Sequence, residues 1–572
     1  MFLRSHFPMS GSIRENVVKT ALIPALVLLA NLGAMAAPSA ARSPYESQAV
    51  LTPGSQIDKL VLGRLQQLGV QPAHGCSDAV FVRRAYLDVI GTLPTGAEAR
   101  DFILDQKPNK RRDLIDRLLA REEFADYWAM KWSDLLRVKA EFPINLWPNG
   151  AQAYHRWIRT SVKENKPCDR FVRELLTSSG SNFRVGPVNF YRAIQNRTPA
   201  GIAGAVALTF MGARIEFWPT NRLAGLAAFF SQIGYKPTSE WKEEHVFWDP
   251  LGASAVAGYS APGRAAIAAI AQASNSVSQA SLPARTHRVP PQATFPDGTG
   301  ISLPPDRDPR EVFADWLITP RNPWFTRSIA NRAWSWLLGR GIVDEPDDLR
   351  PDNPPSNPEL LDCLEKELIA ANYDLKRLFR LILNSQTYQL ASIPKSDKAE
   401  AEANFASYPL RRLEAEVLID ALSQITGSTE KYTSAIPEPF TFIPEDHRSI
   451  ALPDGSITSP FLDMFGRPPR DTGLESERSN RTTAAQRLHL LNSSAIQRKI
   501  EQSRMIQYQT SSGKTPREVA TGMYLGILSR FPTEEELQTV EAYAQTGGMN
   551  QRQAAVDLAW ALINSAEFLY RH

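Results

Sequence analysis

Apolar positions recur at helical spacing through most of this chain. Ile57, Leu60, Val61 and Leu65 make one apolar face, and Leu114, Ile115, Leu118 and Leu119 another. Thr95-Gly-Ala-Glu98 is a capping box, in which Thr95 accepts from first-turn amides and Glu98 reaches back. Trp128 and Trp132, one turn apart beside Asp134 and Arg137, read as core. Further on, Asn357 caps a helix that has Pro358 at its first position and Leu360, Leu361, Leu364 and Leu368 on one side. Asp374 caps the next, with Leu375, Leu378, Phe379 and Ile382 in phase, and residues 405–423 read as an amphipathic helix carrying Arg411, Arg412, Glu414 and Glu416. The pattern predicts a mainly α protein with two helical domains, 56–248 and 306–572.

Two stretches break the periodicity. Residues 249–305 are rich in Ala, Ser, Pro and Gly, with few large apolar groups to offset ordering entropy, and predict a low-complexity linker between the domains. Residues 428–481, including Phe465-Gly-Arg-Pro-Pro-Arg-Asp471, predict a long irregular loop in the C-terminal domain, and a loop of that length is usually functional or wrapped over a surface.

The start of the chain has another character. Arg4, Arg14 and Lys19 precede the apolar run 21–32 and the small residues Ala34-Met-Ala36, which predicts a signal peptide over 1–36 and an N-terminal linker over 37–55. The run is shorter than the ~20 apolar residues of a membrane-spanning helix and contains Pro24. The expectation is a cleaved leader and an exported chain, periplasmic or extracellular, without a transmembrane segment.

Composition removes several functions. The 572 residues carry a net charge of +3, and loss of the leader leaves 61 basic and 60 acidic residues, a balance that gives no field to draw in nucleic acid. Cys76, Cys168 and Cys363 are too few and too scattered for a disulfide framework, although one pair could close. His74, His155, His245, His287, His447 and His489 show no metal-ligand spacing, Gly339-Arg-Gly341 lacks the further glycines of a phosphate loop, and no Gly-x-Ser-x-Gly occurs. No metal site is expected.

The two ends of the chain repeat a pattern. Tyr524-Leu-Gly-Ile-Leu-Ser-Arg-Phe-Pro-Thr533 aligns without a gap on Tyr86-Leu-Asp-Val-Ile-Gly-Thr-Leu-Pro-Thr95, each followed by a glutamate three residues on. Leu562-Ile-Asn-Ser-Ala-Glu-Phe568 resembles Leu118-Leu-Ala-Arg-Glu-Glu-Phe124, and Ile382-Leu-Asn-Ser-Gln-Thr-Tyr388 is a third version.

Polar chemistry concentrates between Asp308 and Ser392, above all in Asn331-Arg-Ala-Trp-Ser-Trp-Leu-Leu-Gly-Arg-Gly-Ile-Val-Asp-Glu-Pro-Asp-Asp348. Asp347 and Asp348 are candidate catalytic carboxylates for acid and base work, or with Asn353 for holding a hard cation. Adjacent carboxylates also cap helices or pair with arginine. Asn331, Arg332, Trp334, Arg340, Asn353, Arg467, Arg470, Glu477 and Arg478 are the candidate binding residues, their arginines equally suited to structural ion pairs or to receiving sulfate or carboxylate.

These residues carry a resemblance. Arg83-Arg-Ala-Tyr-Leu-Asp-Val-Ile-Gly-Thr-Leu-Pro-Thr95 with Trp128 and Trp132-Ser-Asp-Leu-Leu-Arg137 resembles the first of two domains found together in planctomycete cytochrome-c-associated proteins. Asp315-Trp-Leu-Ile-Thr-Pro-Arg-Asn-Pro-Trp-Phe325, Asn331-Arg-Ala-Trp334, Asp347-Asp348 and Phe465-Gly-Arg-Pro-Pro-Arg470 resemble the second. The resemblance implies an exported, largely helical protein of unknown activity, often encoded among genes for degrading complex, frequently sulfated, polysaccharides. Relatives commonly carry a Cys-x-x-Cys-His segment after the stretch matching Thr209–Glu216 and a cysteine near 473–478. Here Glu216 runs into Phe217-Trp-Pro219, and both cysteine sites are absent, so no cofactor and no covalent haem is expected.

Two functions from different classes remain. One is a non-catalytic exported scaffold that binds a protein partner or a glycan through Arg332, Trp334, Trp336, Arg340 and the 465–478 loop. The other is an enzyme acting on an acidic or sulfated carbohydrate through Asp347 or Asp348. An open cleft among these residues favours the enzyme, and buried saturated pairs favour the scaffold.

Overall fold

The computed structural model describes residues 43–47, 52–252, 292–511, 513–545 and 549–572. The leader expected over 1–36 lies outside them, as does 253–291 of the expected linker. Helices carry the fold, and strands are confined, among the described residues, to four small antiparallel sheets.

The capped helices form where their side chains direct. Asn357 accepts from the Leu360 amide at 3.1 Å and Asp374 from the Arg377 amide at 2.9 Å, while Thr95 and Glu98 make both bonds of a capping box. Elsewhere the helical expectation fails. Ile233–Pro237 and Glu244–Trp248 pair as strands, with Gly180–Ser181 on the other edge of Glu244–Trp248, because β-branched and aromatic residues recur there at period two. The single helix expected over 405–423 is two elements. Arg411–Arg412 pairs with Tyr570–Arg571, and Ala415–Thr426 alone is helical. A partner strand more than 150 residues away leaves no trace in local periodicity. The last part of the expected linker is also ordered: Gln292–Thr294 and Gly300–Ser302 form a hairpin, and Phe295 stacks on Phe229 at 4.8 Å and on Trp316 at 5.0 Å.

The repeated pattern is a three-helix unit, and the structure contains it three times. The first unit is Asp78–Ile90, Gly96–Leu104 and Lys110–Leu119; the second is Phe325–Leu338, Pro358–Ala370 and Leu375–Leu383; the third is Pro516–Ile527, Glu534–Gln545 and Gln551–Ile563. In each, the chain leaves the first helix through a left-handed residue, Gly91 (φ 59°), Gly339 (φ 78°) or Ser529 (φ 61°). Thr95, Asn357 and Thr533 then cap the second helix, and a buried aromatic, Phe124, Tyr388 or Phe568, closes the unit. Ser385 and Ser565 make the same closing turn: each accepts from the aromatic's amide at 3.2 Å and donates to a carbonyl three residues back at 2.6 Å. The first unit has Arg121 at that place, bridging Glu98 and Glu123; in the third, Arg530 bridges the matching Glu536 and Glu567 from a different position.

Adjacent arginines of the first unit fasten the other two. Arg83 donates to Ile527 O and Phe568 O, both at 2.9 Å, and Arg84 to Tyr388 O at 2.5 Å and Leu390 O at 2.8 Å. Both therefore grip the carbonyl of a closing aromatic. Trp336 meets Trp128 at 5.4 Å and Trp132 at 5.7 Å, so the two helical regions share one core, in which Trp128 and Trp132 are buried. The three cysteines are free thiols, Cys76 and Cys168 buried and Cys363 half-buried.

Candidate functional site

The Phe325–Leu338 helix and the 465–478 segment bring most of the candidate residues together, but inside the protein. Asn331 clamps the turn after its helix, donating to Val343 O at 2.8 Å and accepting from the Val343 amide at 2.9 Å. Arg332 donates to Leu208 O and Asp347, each at 2.8 Å, and also to Thr209 O. Asp347 accepts on its other oxygen from the Glu475 amide at 2.6 Å, and both Arg332 and Asp347 are buried. Trp334 is fully enclosed, edge-on to Phe405 at 5.0 Å. Trp336 donates to Glu475 at 2.8 Å.

The remaining candidates are engaged as well. Asp348 pairs with Arg350 at 3.1 Å, and Arg340 with Asp344 at 3.2 Å. Asn353 closes a turn by donating to the Asp344 and Asp348 carbonyls at 3.1 and 3.0 Å. Arg467 donates to Asp454 O and Ile457 O and lies 3.5 Å from Glu416; Arg470 bonds Asp134 at 2.9 Å; Arg478 bridges Asp134 and Glu416, each at 2.7 Å. Glu477 accepts from the Asp471 and Thr472 amides. Asp347 and Asp348 thus neighbour each other in sequence but serve different arginines, and Arg340 stands apart from Arg467, Arg470 and Arg478.

The partners explain the electrostatics. Burial alone would raise Glu416, yet Arg478 and Arg467 outweigh it and hold the carboxyl at about 2. Burial lowers Arg467 to about 10, with Arg470 adding to the effect. Burial and Asp347 together raise Glu475.

Sequence reasoning missed the network's other half. Asp88 receives Arg411 at 2.9 Å, Arg571 at 3.2 Å and the hydroxyls of Tyr388 and Tyr408, each at 2.8 Å. Glu414 takes Lys131 at 2.8 Å and Arg571. Only the run Arg411-Arg412-Leu-Glu414-Ala-Glu416 signalled it.

What this arrangement can do chemically is limited. Asp347 has no lone oxygen facing solvent, and among the described residues no group of three His, Cys, Asp or Glu side chains is placed to hold a metal ion. A cavity of about 30 Å³ opens beside Phe124, Trp128, Trp132, Lys376 and Phe379, room for a water or two and far below the roughly 300 Å³ of a small-molecule site. The stretch from Thr209 to Leu223 supplies no thiol or imidazole; Ile215 packs on Gly204 and Phe217 lies under Arg350 at 4.3 Å. Those residues do not fit a covalently attached haem. Arg332 thus ties Thr209 O on one side and, through Asp347, the Glu475 amide on the other.

The fold is thus that of a helical protein with its densest charge inside. The comparisons give its family: residues 56–210 match PSCyt2, a protein of unknown function (DUF1549), and residues 309–544 match PSD1, a protein of unknown function (DUF1553). The chain belongs to the two-domain planctomycete cytochrome-c-associated family of unknown function. No curated protein and no solved structure shows a significant match. Among the described residues no helix is long and apolar enough to cross a membrane.

Proposed function

We propose that this is an exported, non-catalytic helical scaffold that works by binding a partner, alongside polysaccharide utilisation and without covalent haem. The observation that carries the reading is the enclosure of the Arg332–Asp347 pair, which is bonded to Leu208 and Thr209 of one segment and to Glu475 of another. A general acid or base must reach its substrate's proton within hydrogen-bond distance, and Asp347 has no such approach. The constellation holds segments together, and the partner surface lies elsewhere.

Incubation of the exported chain with sulfated and neutral polysaccharides tests this. No release of reducing ends or sulfate is expected. Release that disappears in Asp347→Asn or Asp348→Asn would establish the carbohydrate-active enzyme instead.

A further inference from the structure

Three loops place aromatic rings on one face of the molecule. Phe142 is 85% exposed, Phe442 69%, Trp241 66% and Phe440 51%. They belong together: Trp147 meets Phe440 at 5.3 Å, the Ala435 amide donates to Glu141 at 2.9 Å, and Lys242 Nζ reaches Asn145 Oδ1 at 3.5 Å. Single exposed rings are ordinary, but a contiguous cluster of them marks a contact site.

The charge around the rings narrows the partner. Glu141, Glu240, Glu438, Glu445 and Asp446 stand on the same three loops without an ion pair, against Lys236, Lys242 and Lys431. Glu141 precedes Phe142 and Glu240 precedes Trp241, so acidic residues and exposed rings share the same loops. A ring face attracts a cation through its quadrupole, and a neighbouring carboxylate adds direct attraction. The chain already shows the geometry once, with Lys242 Nζ over the Trp241 ring at 5.5 Å from its centroid.

We infer that Phe142, Trp241, Phe440 and Phe442, with the carboxylates of their loops, form a docking surface for a lysine- or arginine-bearing segment of another exported protein. The inference rests on the scaffold reading and gives it a partner surface. Steering by the carboxylates brings the basic segment in, and its cations settle on the ring faces.

Fluorescein-labelled decalysine titrated against the chain from residue 37 onward, read by anisotropy at low salt with decaglutamate as control, tests it. Binding of decalysine alone is expected, about tenfold weaker in Phe142→Ser/Phe442→Ser, since two exposed cation–ring contacts together are worth roughly a factor of ten. Glu438→Gln/Glu445→Gln is expected to weaken binding and flatten its salt dependence. All four residues are exposed, so both variants should melt with wild type and a lost signal is not misfolding. Equal affinity in the ring variant, or no decalysine binding, overturns the proposal. So does binding of a neutral β-glucan, or self-association in sedimentation, that the ring variant abolishes while decalysine binding is untouched. Polysaccharide cleavage is measured separately, so the docking surface can fail while the scaffold reading stands.

Discussion

Arg332 and Asp347 are fifteen residues apart in sequence and meet at 2.8 Å where neither is open to water. Breaking a buried pair strands a charge, at a cost of about 3–5 kcal/mol, whereas replacing both partners by apolar groups of similar volume is often far milder. Asp347→Ala is therefore expected to lower unfolding stability by that amount in urea. Arg332→Met/Asp347→Leu is expected to lose less than the sum of its single variants. Additive losses would show that the two do not act as a pair.

The repeat makes a prediction about its own turns. A Cβ on Gly91 would come within 2.4 Å of the Tyr127 ring at a left-handed φ, so Gly91→Ala is expected to cost roughly 2–5 kcal/mol by strain and overpacking together. Ser529 already carries a Cβ in that conformation, and Ser529→Gly is expected to be close to neutral, relief of strain offsetting unfolded-chain entropy. Urea midpoints for the two variants check the equivalence.

A buried histidine, His155, and a half-buried one, His572, set an acid limit. Burial, with Arg470 adding, draws His155 down to about 3, and burial, with Arg83 adding, draws His572 to about 4. The unfolded chain protonates both near pH 6.5 while the fold does not, so their contribution is complete above that pH. It falls by about 1.4 kcal/mol per pH unit per histidine on acidification towards the folded values. His155→Gln is expected to flatten the slope of stability between pH 6 and 4, by about one proton.

Glu475 acts in the opposite sense. Burial and Asp347 raise its carboxyl, so the fold binds that proton more tightly than the unfolded chain, and ionised Glu475 costs stability as pH rises through its folded value. Glu475→Gln keeps an acceptor for Trp336 Nε1 and is expected to raise the urea midpoint at pH 7. The advantage should vanish on acidification to where wild-type Glu475 is protonated.

Local signals in the sequence led to local structure. Thr95, Asn357 and Asp374 bear caps because a capping side chain bonds its own helix three residues on. The pattern around Tyr86 and Tyr524 showed the first and third units, while of the second only the closing segment Ile382–Tyr388 was legible. There the turn between the first two helices runs from Gly339 to Asn357, long enough to hide the alignment. The candidate site was legible as a set of residues and not as a surface. Arg, Asp and Asn near Trp mark either a binding face or a buried ion network, and which one forms depends on whether Thr209 and Glu475 arrive to cover it. Asp88 and Arg571 escaped notice because each stands alone in sequence and acquires its role only when the chain's end pairs with Arg411–Arg412.

The central claim is that the constellation around Arg332 and Asp347 is internal framework and not a ligand site. Thermal unfolding of the chain from residue 37 onward and of its Arg340→Ala/Asp348→Ala variant, each with sulfated glycans, neutral glycans and divalent metals, tests it most directly. A ligand at about 100-fold excess over its Kd stabilises the native state by roughly 2.7 kcal/mol, enough to move the melt. The prediction is that no ligand shift depends on these residues: any stabilisation of the wild type persists in the variant. A glycan or metal shift present in the wild type and absent from the variant would contradict the account and place a binding site in the second domain.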